Sequence, residues 1–88
     1  NSKMWAMIDD LVKQKPEGRE MDGDAWKGLL MHDAGHKVRM YPALDGNGIV
    51  ITGYRSSTLK KSEMSDLIEV IYSYGAKHGV QWSDEARR

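Results

Sequence analysis

Cysteine is absent from all 88 residues. Disulfide staples and thiolate metal sites are therefore excluded, and a reducing compartment such as the cytosol is permitted. No apolar run approaches the roughly 20 residues that a bilayer demands, and nothing resembles a secretory leader. Net charge is absent too, because 13 Lys and Arg balance 13 Asp and Glu. A domain that grips nucleic acid by bulk attraction is usually markedly basic. Any such contact here has to come from a local patch, a longer chain, or two patches joined by dimerisation. Catalytic signatures are lacking as well, with no glycine-rich phosphate loop after a strand and no local Ser–His–Asp arrangement. "HDAGH" sets His32 and His36 on one helix face. It lacks the Glu that zinc proteases place directly after the first His, and no thiol completes a site. "DGNG" begins like a calcium loop, but the later oxygen ligands and the closing Glu are missing, so it reads as a turn. The carboxylates of Asp9, Asp10, Asp22 and Asp24 sit on helix ends and connectors, where acids are common. These residues argue for no enzyme, no metal and no cofactor.

What is present is a chain of clear periodicities, short enough to make one domain with a thin core that oligomerisation often supplements. In "NSKMWAMIDDLVKQ", Met4, Met7, Ile8 and Leu11 recur at helical spacing, with Ser2 as N-cap and Pro16 and Gly18 as the stop. "KPEGREMDG" reads as a connector. Asp22 or Asp24 caps a second helix through "AWKGLLMHDAGH", where Trp26, Leu29, Leu30 and Ala34 face one way and Gly35 ends the element. "KVRMYPALDGNGIVITGY" reads as a β-hairpin: Val38, Met40 and Leu44 alternate with polar residues, "GIVIT" is β-branched, and "DGNG" supplies the positive φ angles of a tight turn. Pro42 makes the first strand short or an edge. In "KSEMSDLIEVIYSYGAKHG", Met64, Leu67, Ile68 and Ile71 form a core stripe that Val70, Tyr72 and Tyr74 widen, toward the core or a second subunit. Gly79 followed by Val80 predicts a Schellman ending, and Ser83 with its acidic neighbours opens a last helix. The expected fold is α+β, a mainly helical small domain with one β-hairpin, forming part of a dimer.

The functional question centres on "GYRSSTLKKSE", which leaves the hairpin and feeds the long helix. Arg55, Lys60 and Lys61 flank Ser56, Ser57 and Thr58. Cations, hydroxyls and free helix-start amides can seat phosphates, and the same residue types also build ordinary loops and caps. Lys60 and Lys61 oppose the positive end of the helix dipole, a small misfit that a bound anion relieves. Of the indoles, Trp26 lies on an apolar helix face and reads as core. Trp5 and Trp82 adjoin apolar residues and read as core or subunit contacts, with base stacking as the other option.

"AWK", "PALDGNGIVITG" and "EMSDLIEVIYSYGAKHGVQWSDEAR" together resemble the NinB family of phage proteins, and the likeness runs from "NSKMW" to "WSDEAR". The resemblance implies a non-catalytic recombination mediator that binds single-stranded DNA and single-strand-binding protein. Such a protein acts as a homodimer in the host cytoplasm and helps load a recombinase or annealing protein on coated DNA. It also implies that residues 1–88 are a single NinB-type domain of a longer protein, with β-structure before Asn1 and a tail after Arg88. The candidate nucleic-acid contacts are Arg55, Ser56, Ser57, Lys60 and Lys61, then Lys77, Arg87 and Arg88. The alternative is a module that docks single-strand-binding protein or another recombination partner without touching DNA. A metal-dependent nuclease is the third reading.

Overall fold

Met4, Met7, Ile8 and Leu11 form one completely buried stripe on α1 (Ser2–Gln14), and the other helices assemble against it. The computed structural model describes residues 2–52 and 55–88. Gly53 and Tyr54, the first residues of "GYRSSTLKKSE", lie outside the described residues, as does Asn1. α2 (Gly23–Asp33) contributes Trp26, Leu30 and Met31 to the core, and α3 (Lys61–Lys77) contributes Leu67 and Ile71. Val80 and Ala86, the latter on α4 (Asp84–Arg87), close it. Each large side chain removed from water in this way contributes about 1.5–3 kcal/mol.

The helix ends follow local chemistry. Asp22, rather than Asp24, is the N-cap of α2, and its Oδ1 accepts from the Ala25 amide at 2.8 Å. Ser2 is the first residue of α1 instead of its cap. At the end of α2, Gly35 adopts φ 92°, and the amides of Gly35 and His36 donate to the carbonyls of His32 and Met31 at 3.0 and 2.9 Å. That is a Schellman ending. α3 ends the same way: Gly79 has φ 70°, and the Val80 amide donates to the Gly75 carbonyl at 2.9 Å. Ser83 caps α4, its Oγ accepting from the Ala86 amide at 3.3 Å.

α4 is too short to persist as an isolated helix, and α1 holds it in place. Asp10, buried on α1, accepts from the Ser83 amide through Oδ2 at 2.9 Å. One turn on, Gln14 donates to the Gln81 carbonyl at 2.6 Å and accepts from the Gln81 amide at 2.9 Å.

β1 (Arg39–Pro42) and β2 (Ile49–Thr52) form the antiparallel hairpin, in register from Arg39 opposite Thr52 to Pro42 opposite Ile49. Gly46 and Gly48 take positive φ in its turn, and Asp45 Oδ1 accepts from the Asn47 amide at 2.9 Å. β2 leans on α2, yet the alternation along the strands does not correspond to a buried face. Met40, Tyr41, Leu44, Ile49 and Val50 are all exposed. The Cα radius of gyration, 13.1 Å, exceeds the roughly 12 Å of a compact chain this long, in keeping with a hairpin that stands off the helices.

Candidate nucleic-acid interface

Arg55 is extended and exposed, and a 3-10 turn, Ser56–Thr58, follows it. Thr58 Oγ1 donates back to the Arg55 carbonyl at 2.9 Å, so this hydroxyl is engaged in closing the turn. Ser57 is exposed and Ser56 half-buried. Ser56 Oγ accepts from Lys27 Nζ at 3.5 Å, a long bond across 29 residues of chain. The same ammonium stands 4.9 Å from the centroid of the Trp5 ring, within cation–π range. Three elements thus converge: Trp5 from α1, Lys27 from α2 and Ser56 from the loop that enters α3.

The start of α3 differs from the sequence expectation in one respect. Glu63 Oε1 accepts from the Lys60 amide at 2.9 Å, the returning half of a capping box. This carboxylate occupies a helix-start donor and adds negative charge to the first turn. The opposition of Lys60 and Lys61 to the helix dipole is therefore offset within the chain, and that misfit does not by itself require an anion. Both lysines are exposed.

The remaining candidates divide between two places. Arg87 and Arg88 are exposed at the end of the chain, and Arg88 lines a hollow with Ser2, Lys3, Trp5, Asp9 and Glu85. Trp5 thus has the Lys27 ammonium near its ring and shares a hollow with Lys3 and Arg88. Lys77 lies apart, at the far end of α3 from Lys61, a helical distance of about 24 Å. It lines a cleft with Glu17, Asp33, Asp66 and Glu69, where carboxylates predominate. The structure thus links Ser56 to Trp5 through Lys27 and sets Arg88 in a hollow with Trp5, while Arg55, Lys60 and Lys61 adjoin Ser56 only along the chain and Lys77 lies elsewhere. Lys27 and Lys3 were not among the residues expected from sequence. Lys27 is half-buried, three and four residues before the buried Leu30 and Met31, and no local pattern marks it as part of a site. Trp5 offered one, since it falls beside the buried stripe of α1 and not within it.

A second polar cluster ties the connector to α3. Tyr74 Oη donates to Glu17 Oε1 at 2.8 Å, His78 Nε2 lies 3.5 Å from the same oxygen, and Arg19 Nε lies at 3.7 Å. The Tyr74 hydrogen bond, together with His78 and Arg19, holds the Glu17 carboxyl below its ordinary range. Burial, and then the bond to Glu17, push the Tyr74 phenol up to about 12. Among the described residues there is no group of three or more His, Asp or Glu side chains placed to hold a metal ion. His32 is exposed in the last turn of α2, and His36 lies beyond its end. No described helix is long and apolar enough to cross a membrane.

Comparison with known proteins fits this architecture. The model of the NinB protein family matches residues 1–83. The P21 prophage-derived protein NinB of Escherichia coli O6:H1 is 39% identical over 88 residues, covering 99% of this chain and 60% of that protein. Protein ninB of Escherichia phage lambda is 38% identical over the same shares, and so is that of Salmonella phage P22. A solved NinB structure from structural genomics superposes with a TM-score of 0.78 at 37% identity, covering 100% of this chain and 66% of that one. The chain therefore spans about 60% of the length of the curated relatives it matches. With a family match along nearly its whole length and a shared fold, this chain belongs to the NinB family.

Proposed function

We propose that this chain is the part of a phage recombination mediator that contacts single-stranded DNA, without catalysis and without a cofactor. The whole protein, in this reading, is a homodimer that helps load a recombinase or annealing protein on DNA coated by single-strand-binding protein in the bacterial cytoplasm. The observation that carries the reading is the placement of Lys27 between the Trp5 ring and Ser56 Oγ. It sets a cation and an indole beside Ser56, the residue that follows Arg55, the two combined needs of single-strand binding: neutralised phosphates and a surface on which bases stack. A neutral chain can bind in this way because the contact is local, with Lys60, Lys61 and Arg88 extending it. The test is a fluorescence titration of a labelled oligo-dT against the chain at several salt concentrations. Arg55→Ala with Lys60→Ala and Lys61→Ala should weaken binding and lower its salt dependence, and a triple variant that binds like the parent sinks the proposal.

A second reading has its own observation. The hairpin exposes Met40 and Ile49 on one face, Tyr41 and Val50 on the other, and Leu44 at the turn, more exposed apolar side chain than a free surface usually carries. On this reading the chain docks single-strand-binding protein or another recombination partner. Capture of purified single-strand-binding protein, lost on Met40→Ser with Ile49→Ser and accompanied by no oligonucleotide binding, favours it over the first.

A further inference from the structure

We propose that the cleft between α2, the Pro16–Gly18 turn and α3 is a docking site for a basic protein segment, with lysine or arginine beside an aliphatic residue. It shares only Lys77 with the candidate nucleic-acid contacts. Two adjoining hollows, of about 640 and about 200 Å³, have Glu17, Asp33 and Tyr74 in common. The smaller is floored by Trp26, Leu29 and Leu30. Trp26 is 2% exposed, and its indole Nε1–H, on one of the rings lining this hollow, has no hydrogen-bond acceptor. A buried donor left unmade is uncommon and costly. The larger hollow is lined by Asp33, Asp66 and Glu69 together with Lys77 and His78, so its acids outnumber its bases, and among the described residues none of these three acids is in an ion pair. Glu17 differs, being engaged by Tyr74, His78 and Arg19.

The chemistry of an occupant follows from these parts. It brings positive charge to Asp33, Asp66 and Glu69, an apolar branch to Leu29 and Leu30, and a carbonyl to accept from Trp26 Nε1. A peptide segment supplies all three. Nucleic acid does not suit the cleft, because its phosphates meet three carboxylates. A polyamine brings the charge but neither the acceptor nor the branch. Nε1 is shielded from solvent, so an acceptor reaches it through a shift of surrounding side chains, which interfaces commonly undergo on binding.

The test is a titration of the ¹⁵N-labelled chain, following the three indole N–H signals by NMR. The probe is a hexapeptide amide of alternating leucine and lysine. Spermidine, the corresponding leucine–glutamate peptide and an oligo-dT serve as comparisons. The leucine–lysine peptide should move the Trp26 indole signal saturably, and the other three should not. Asp33→Asn with Asp66→Asn, both at exposed positions, should weaken the peptide about fivefold, with Glu69→Gln as an independent check. No movement at millimolar peptide overturns the proposal. So does equal movement with the acidic peptide, with spermidine or with the oligonucleotide, or an affinity indifferent to the carboxylates. None of these outcomes bears on DNA binding at Arg55, which the salt titration reads separately.

Discussion

Replacing Gly75 by alanine sets two physical effects of opposite sign against each other. In a helix interior, alanine is favoured over glycine by about 1 kcal/mol, so propensity alone predicts a more stable chain. Gly75, however, is buried in α3 directly beneath Trp82. A Cβ there would stand 2.9 Å from Trp82 Cη2, 3.2 Å from Cε2 and closer still to Cζ2. The ring has little freedom to retreat. It meets Tyr72 edge-on at 5.4 Å, and its neighbours Gln81 and Ser83 are tied to α1 by Gln14 and Asp10. Overpacking of this kind costs about 1–3 kcal/mol, so after the propensity gain of about 1 kcal/mol the net loss is about 0–2 kcal/mol. For a domain of this size that lowers Tm by up to about 16 °C. Circular dichroism melting of the parent, Gly75→Ala, Trp82→Leu and the double variant completes the cycle. With the indole removed, Gly75→Ala should become neutral or stabilising. A Gly75→Ala variant that melts higher than the parent with Trp82 intact refutes the reasoning.

Asp10→Ala leaves the Ser83 amide without its acceptor and should cost about 1–3 kcal/mol. Hydrogen exchange should show α4 amides losing protection before those of α2. Tyr74→Phe removes the donor to Glu17, and the pH dependence of its effect has a defined form. The lowered Glu17 carboxyl gives stability present above its ordinary value of 4.5 and lost as pH falls through its folded value; the raised Tyr74 phenol gives stability present below its ordinary 10.0 and lost as pH rises toward about 12. The gap in urea midpoint between parent and variant should therefore be widest near neutrality and narrow at pH 3 and at pH 11. Lys27→Met keeps an aliphatic stem over Trp5 but removes the charge, so oligonucleotide affinity should fall while the melting temperature changes little.

The helices were legible because their determinants are local. The stripe of Met4, Met7, Ile8 and Leu11 needs only the 3.6-residue period, and Gly35, Gly79 and Ser83 mark ends by backbone chemistry within a few residues. The hairpin was legible from "DGNG" and the β-branched run, but its exposure was not, because alternation describes a strand and not what covers it. Of the candidate site, the Arg55–Lys61 stretch could be named in advance, while its neighbours could not. Lys27 meets Ser56 across 29 residues, and Asp10 meets Ser83 across 73. No local pattern encodes either contact. Asp10 looked like an ordinary helix acid, and only the assembled fold makes it a buried support for α4. The capping role of Glu63 is the reverse case, since it stands only three residues after Lys60, within the span of a capping box.

Single-strand binding by a local patch, rather than by net charge, is read out in the salt dependence of oligo-dT binding. On single strands each phosphate neutralised adds about 0.7 to the slope of log K against log salt. Changing Arg55, Lys60 and Lys61 to alanine should thus reduce that slope by about 2 and weaken binding most at low salt. An unchanged slope in the triple variant, or no measurable binding by the parent chain at low salt, contradicts the claim.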